Sequence, residues 1–173
     1  GLGPLAIGFS HQTLLPQLVE EQYGRGIGLM GLLQSVGAIG GLGGGLFIAS
    51  RREVSYKGRL MLLAALSYGI ALLGFAGANH MWMAFPLIIW IGASQTLFRA
   101  GNTATLMEIA PDRLRGRIIS ATLLDTALSP IAGLAAGLTA DLWGVSYGYI
   151  LLSVACLSVV AVTMLIYPKI KDV

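Results

Sequence analysis

The chain has 173 residues, of which 55% are apolar and only 11% are charged, and its net charge is +3. A soluble domain carries about 25% charged residues, so this chain has too little polar surface to cover a water-exposed fold. The composition argues against a cytosolic enzyme, a nucleic-acid-binding protein and a disordered tail, and it predicts a membrane protein. The 24 glycines, about twice the usual ~7%, fit the close packing of membrane helices.

Six stretches of the chain are apolar and long enough to cross a bilayer, which takes about 20 helical residues. In chain order they are Leu2–Val19, Ile27–Ala49, Leu60–Ala78, Trp82–Met107, Ile118–Ala140 and Val145–Tyr167. No hydrophilic stretch is long enough to form a separate domain, so we predict a single all-α bundle over residues 1–173. Because the chain opens on Gly1, almost directly inside an apolar stretch, we expect it to be a piece of a longer protein.

The basic residues predict how the bundle is oriented. Nine of the eleven follow the second, fourth and sixth stretches: Arg51, Arg52, Lys57, Arg59, Arg113, Arg115, Arg117, Lys169 and Lys171. Loops rich in Lys and Arg stay in the cytoplasm. These loops and the C-terminus are therefore predicted to be cytoplasmic.

Glycine spacing predicts where helices approach one another. Glycines recur every four residues at Gly37, Gly41 and Gly45 in the second stretch, beside Gly40 and Gly44, and at Gly133 and Gly137 in the fifth. Faces of this kind let two backbones come close. The spacing leaves open whether the contact is static or is a surface along which helices rock.

Two ionisable side chains lie well inside predicted spans, Arg99 in the fourth and Asp125 in the fifth. Each is roughly 12–14 Å from the cytoplasmic end, where an isolated charge costs at least ~2.5–3.5 kcal/mol. Polar residues share their helix faces: Gln95 and Asn102 with Arg99, and Thr122 and Ser129 with Asp125. Three interpretations stay open, namely a fixed ion pair between helices, a role in solute or proton handling, and an Arg99 that extends to the membrane surface.

Further polar side chains lie in the first two stretches, His11 in the first and Gln34 in the second. A membrane histidine either hydrogen-bonds a neighbouring helix or titrates as part of a pathway, and both interpretations stay open for His11. The sequence has no phosphate-binding glycine loop, no HExxH motif and no CxxC pair. We therefore predict no enzymatic activity, no catalytic residue, no metal site and no cofactor.

The loop before the fifth stretch is the most specific segment, and it reads Pro111-Asp112-Arg113-Leu114-Arg115-Gly116-Arg117-Ile118-Ile119-Ser120. It resembles the Pro-x-x-x-Arg-Gly-Arg…Ser loop of major facilitator superfamily transporters. Other segments agree in order: Leu15-Pro16 at the end of the first stretch, residues 28–33 leading into the glycine-rich part of the second, and residues 137–144 closing the fifth. Together they resemble the C-terminal six-helix half of a facilitator, closest to bacterial drug and siderophore exporters. One departure is Ala49, which stands where the family often carries an Asp.

The resemblance implies a fold of two inverted three-helix repeats, completed by an N-terminal six-helix half and surrounded by membrane lipid. It implies transport of a small solute by alternating access in the cytoplasmic membrane of a bacterium, and we expect proton-coupled export of an amphipathic molecule. The expected solute or proton pathway comprises Asp125, Arg99, Asn102, Gln95, Gln34 and His11. The alternative is a facilitator-like scaffold or assembly subunit that docks on other subunits of a membrane complex.

The resemblance implies that the cytoplasmic loop acts as a gate. Its charged side chains are expected to pair across the two halves in the outward-open state and to separate when the cytoplasmic side opens. Its residues are Asp112, Arg113, Arg115, Gly116 and Arg117. The alternative is that the arginines set the topology and bind lipid phosphate, where each basic residue contributes ~1 kcal/mol.

Overall fold

The structure is a computed structural model that describes residues 2–24, 27–50, 57–78, 80–109 and 115–166. Side chains are described for residues 10–24, 28–50, 58–78, 80–106, 116, 120 and 130–165. Every residue of these ranges lies in a helix or in a short turn between helices. The predicted all-α class is confirmed for this part of the chain.

Six helices follow the order of the predicted stretches: α1 (Leu2–Tyr23), α2 (Ile27–Ser50), α3 (Lys57–Ala76), α4 (Met81–Ile109), α5 (Arg115–Trp143) and α6 (Val145–Ile166). Each boundary lies within a few residues of the predicted one. Four of them, α2, α3, α4 and α6, are long and apolar enough to cross a membrane, counted over the described residues. Membrane crossing by α1 and α5 stays a prediction.

Two glycines with positive φ directly follow helices. Gly144 is the single residue between α5 and α6 and has φ +100°, and Gly24, after α1, has φ +56°. Side chains disfavour such positive values, whereas glycine adopts them freely. The Gly144 amide donates to the Ala140 carbonyl over 2.7 Å and closes the last turn of α5. This tight turn makes α5 and α6 antiparallel neighbours.

Replacing Gly144 with alanine is expected to lower the free energy of unfolding by about 1–2 kcal/mol, because a Cβ penalises the positive φ. Nothing lies within 4 Å of the place this Cβ would take, so the cost is conformational. The measurement is the thermal unfolding midpoint of the purified full-length protein in detergent. Gly28→Ala is the control, since its Cβ also meets nothing, and equal midpoints for the two variants would contradict the expectation.

The helices pack in defined pairs. The most extensive contacts join α2 to α4, α3 to α4 and α1 to α5, and α6 contacts α3, α5 and α1. Between them lies a continuous core, in which the rings of Phe75 and Tyr149 meet edge to face with centroids 5.2 Å apart. Both rings are fully buried. The core therefore ties α3 to α6 at the centre of the bundle.

Large apolar side chains also cover the outside of the bundle. Trp82 is 83% exposed and Leu165 is 81% exposed, and exposed leucines recur along α2 and α5. A soluble protein rarely presents so extensive an apolar surface, whereas a surface that faces lipid tails is apolar throughout. Together with the four apolar helices, this surface identifies a multi-pass membrane protein.

Polar contacts fasten the end of α1 to the turn between α5 and α6. The Val145 amide at the start of α6 donates to the Glu21 carboxylate over 3.3 Å, a favourable place for a negative charge because it faces a helix N-terminus. Gln17 Nε2 donates to Glu21 Oε1 over 2.8 Å and to Asp141 Oδ1 over 3.2 Å. These bonds fix the position of α1 relative to α5 and α6.

Candidate functional site

A groove of about 850 Å³ opens between α1, α2 and α4, and we call it the α1–α2–α4 groove. Five polar side chains line it: His11 and Gln12 from α1, Gln34 from α2, and Gln95 and Thr96 from α4. The rest of the lining is aliphatic side chains and glycines. Its volume lies within the range of small-molecule sites, which are mostly apolar with a few convergent polar groups.

The wall between α2 and α4 is built on glycine. A Cβ at Gly40 would collide with the backbone of Ile89, and one at Gly44 would lie 2.6 Å from the carbonyl oxygen of Ala93. From the α4 side, a Cβ at Gly92 would collide with the α2 backbone. The two backbones are therefore in direct contact, which only glycine permits. This contact holds the α2 and α4 linings of the groove at a fixed register.

His11 is fixed by two tyrosines from distant helices. The hydroxyl of Tyr68, in α3, lies 3.0 Å from His11 Nδ1, and the two rings meet edge to face. The hydroxyl of Tyr149, in α6, donates to the His11 backbone carbonyl over 3.1 Å. All three residues are buried, and His11 is only 4% exposed. The His11 ring, which lines the groove, is thus held in one orientation.

The predicted pathway residues divide into three groups. His11, Gln34 and Gln95 come together around the α1–α2–α4 groove. Asn102 is buried and Arg99 is exposed, and neither belongs to the groove lining. The backbone of Asp125 lies in α5, but its side chain lies outside the described residues.

The predicted packing glycines also separate into different environments. A Cβ at Gly37 or Gly41 would meet side chains of α4 at 3.3 and 3.0 Å, and both glycines line the groove together with Gly45. The closest contacts with α4 are instead made at Gly40 and Gly44, which lie beside the row of Gly37, Gly41 and Gly45. In α5, a Cβ at Gly133 would lie 2.9 Å from the Thr13 hydroxyl of α1, whereas the space at Gly137 is open.

The predicted gating loop is described only in part. Asp112 and Arg113 lie outside the described residues, and so do the side chains of Arg115 and Arg117, whose backbones begin α5. Gly116 is exposed, with open space where a Cβ would lie. The gating role of this loop stays a prediction.

Three residues at the site, Gln12, Thr96 and Tyr68, are not among the predicted pathway residues. Gln12 and Thr96 directly follow the predicted His11 and Gln95 in the chain, and that adjacency is a signal that could have included them. Tyr68 lies 57 residues from His11, inside a stretch that has Ser67 as its one other polar side chain and no charged residue near Tyr68. Nothing in the sequence indicates that this tyrosine supports a polar site.

Comparison with known proteins gives one similarity of functional interest. The chain is 28% identical over 163 residues to a curated protein described as a staphyloferrin A transporter, from Staphylococcus aureus (strain NCTC 8325 / PS 47). The match covers 94% of this chain but 40% of the relative, so the chain spans less than half the length of that protein. No family model and no solved structure matches the chain. Nearly the whole chain is therefore similar to one part of a longer transporter.

Proposed function

We propose that this chain is one half of a facilitator-type transporter, which moves a small amphipathic solute across the bacterial cytoplasmic membrane by alternating access. The α1–α2–α4 groove carries the proposal, because its polar side chains face an open space between helices that are otherwise apolar. Polar groups within a membrane are costly and characteristically line solute or ion pathways. The similarity to a transporter over 94% of this chain supports the same function.

The helix pairs support an arrangement in two inverted repeats, α1–α3 and α4–α6. In this arrangement α1 corresponds to α4, α2 to α5 and α3 to α6. The α2–α4 contact then corresponds to the α5–α1 contact, and the α3–α4 contact corresponds to the α6–α1 contact, and all four are present. The α3–α6 contact corresponds to itself. Transporters built from such repeats bind solute near the middle of the membrane, where repeats or halves meet. A second six-helix half is the partner that we propose for the open side of the groove.

Proton-coupled export is the finer part of the proposal, and it depends on Arg99 and Asp125. Arg99 lies roughly ten residues before the end of α4, and Asp125 lies roughly ten residues after the start of α5. With a rise of 1.5 Å per residue, both are about 15 Å from the same end of the bundle. At equal depth, an ionised Asp125 carboxylate can pair with the Arg99 guanidinium. When the carboxyl group is protonated, this pair separates and both groups can contact solute. We also propose that the C-terminus lies on the cytoplasmic side and that Arg115 and Arg117 form part of a cytoplasmic gate.

Filling the groove tests the transport function. Ala38 lines it, and we expect Ala38→Trp in the full-length protein to reduce solute flux at least about tenfold, because the indole occupies the volume that a solute needs. Flux is measured in proteoliposomes with radiolabelled amphipathic molecules of neutral, cationic and anionic type. Staphyloferrin A is included because the relative is described as its transporter.

Ala161→Trp is the matched control, since Ala161 is an exposed alanine on α6 and is not part of the groove lining. It is expected to keep parental flux, with both variants recovered as monodisperse protein. Absence of flux of every test molecule through the parent protein would contradict transport and would favour the scaffold role.

A further inference from the structure

None of the polar side chains that line the α1–α2–α4 groove is a carboxylate, an ammonium or a guanidinium. Three are glutamine amides, one is the Thr96 hydroxyl and one is the His11 imidazole. No Asp, Glu, Lys or Arg belongs to the groove lining in the part of the chain that the structure describes. An amide offers both donors and acceptors, and the ring nitrogens of an imidazole form hydrogen bonds as well. The groove can therefore bind hydroxyl and amide groups, whereas its described lining offers no permanent countercharge to an ion.

The polar groups are spread along the groove rather than gathered at one point. Gly37 faces Ile88 and Gly44 faces Ala93, so α2 and α4 run in parallel and Gln95 lies level with the neighbourhood of Gly44. Gln34 is then roughly ten residues, or about 15 Å, further along the helix axis. A solute that contacts both glutamines has an extended shape with hydrogen-bonding groups at both ends of this span.

Level with Gln95 the α2 wall is apolar. Leu42 and Leu46 line the groove there, two residues before and two residues after Gly44, and they are 69% and 70% exposed. Apolar side chains of this kind receive hydrocarbon and reject ions, because moving a charge away from water without a partner is costly. The groove thus combines hydrogen-bonding side chains with an apolar surface on α2.

His11 is the most deeply buried of the polar side chains that line the groove. Its ring is buried, hydrogen-bonded through Nδ1 to Tyr68 and packed edge to face against that ring. A ring held in one orientation discriminates between ligand groups by direction. Tyr68 does not belong to the groove lining, so it acts through His11 as a positioning residue.

We propose that the α1–α2–α4 groove selects solutes by an uncharged, hydrogen-bonding portion, which Gln34 and Gln95 bind and His11, positioned by Tyr68, recognises by direction. Charged portions of a solute are excluded from this groove, and Leu42 and Leu46 receive an apolar portion. This inference rests on the proposed transport function and names the class of solute for the same site.

Thiol reagents that differ in charge test whether the groove selects against charged groups. In the full-length protein freed of native cysteines, Gln34→Cys and Gln95→Cys are reacted with methyl, trimethylammonium-ethyl and sulfonatoethyl methanethiosulfonate. Rates are normalised to Glu20→Cys, an exposed position at the end of α1. We expect the cationic and the anionic reagent each to react at least about tenfold more slowly than the neutral one at both groove positions, because both lose hydration without gaining a countercharge.

Two results would overturn the proposal. One is a ratio below tenfold for either charged reagent at either groove position. The other is failure of the neutral reagent to reach the groove positions. Both leave the flux measurement on Ala38→Trp unaffected, so failure of the selectivity is distinguishable from failure of the transport function.

The positioning role of Tyr68 has a spectroscopic test. In ¹⁵N-histidine-labelled full-length protein, the His11 ring signals are assigned by their loss in His11→Gln, and they are expected to report one dominant tautomer. Tyr68→Phe is expected to raise the minor tautomer about fivefold, as removal of one ordinary hydrogen bond would. Tyr147→Phe, at an exposed tyrosine of α6, is the control and is expected to leave the spectrum unchanged. An unchanged His11 spectrum in Tyr68→Phe would overturn the positioning role.

Discussion

Gly40→Ala is expected to destabilise the protein by about 3 kcal/mol, although it adds a single methyl group. The new Cβ would collide with the backbone of Ile89 in α4, and a backbone cannot move aside as a flexible side chain can. Overpacking of a tight interface typically costs 1–3 kcal/mol, and here the whole α2–α4 contact has to widen. The measurement is the thermal unfolding midpoint of the full-length protein in detergent, together with the yield of monodisperse protein.

Gly43→Ala provides a closely matched control for this prediction. Gly43 lies three residues further along the same helix and is exposed, and a Cβ there would meet nothing within 4 Å. Because alanine favours helix formation over glycine by about 1 kcal/mol, Gly43→Ala is expected to be neutral or slightly stabilising. If both variants melt alike, the direct backbone contact between α2 and α4 is not present in the folded protein.

Asp125→Asn is expected to reduce transport driven by a proton gradient at least about tenfold, while leaving the protein folded. Asparagine keeps the size and hydrogen-bonding capacity of the side chain, but it cannot take up a proton, and the exchange of pairing with Arg99 is lost. Flux of the most rapidly transported test molecule is measured in proteoliposomes with and without an imposed pH difference. The expected loss is confined to the part of the flux that depends on the gradient.

Asp141→Asn is the control for this variant, because Asp141 is exposed near the end of α5 and accepts a hydrogen bond that asparagine can also accept. It is expected to transport at the parental rate. If Asp125→Asn shows gradient-driven flux at the parental rate, Asp125 takes no part in proton coupling. That result would favour the alternative interpretation, in which Asp125 and Arg99 form a fixed ion pair.

The sequence predicted some of the groove but not its construction. Gln34, Gln95 and His11 were singled out because polar side chains inside apolar stretches are costly, and that reasoning holds for each residue separately. Their meeting in one groove depends on α1, α2 and α4 packing together. The polar row that was expected to run from Gln95 through Arg99 to Asn102 divides instead, since only Gln95 belongs to the groove lining among the described side chains.

The sequence by itself determined the number, order and approximate ends of the six helices, because helix formation uses local backbone hydrogen bonds and a run of about 20 apolar residues is visible in one dimension. The tertiary structure decided which glycines touch. Gly40 and Gly44 contact α4 most closely, beside the predicted row of Gly37, Gly41 and Gly45, because the rotation of a helix about its axis is set by the surface it packs against. For the same reason only the tertiary structure paired His11 with a tyrosine 57 residues away.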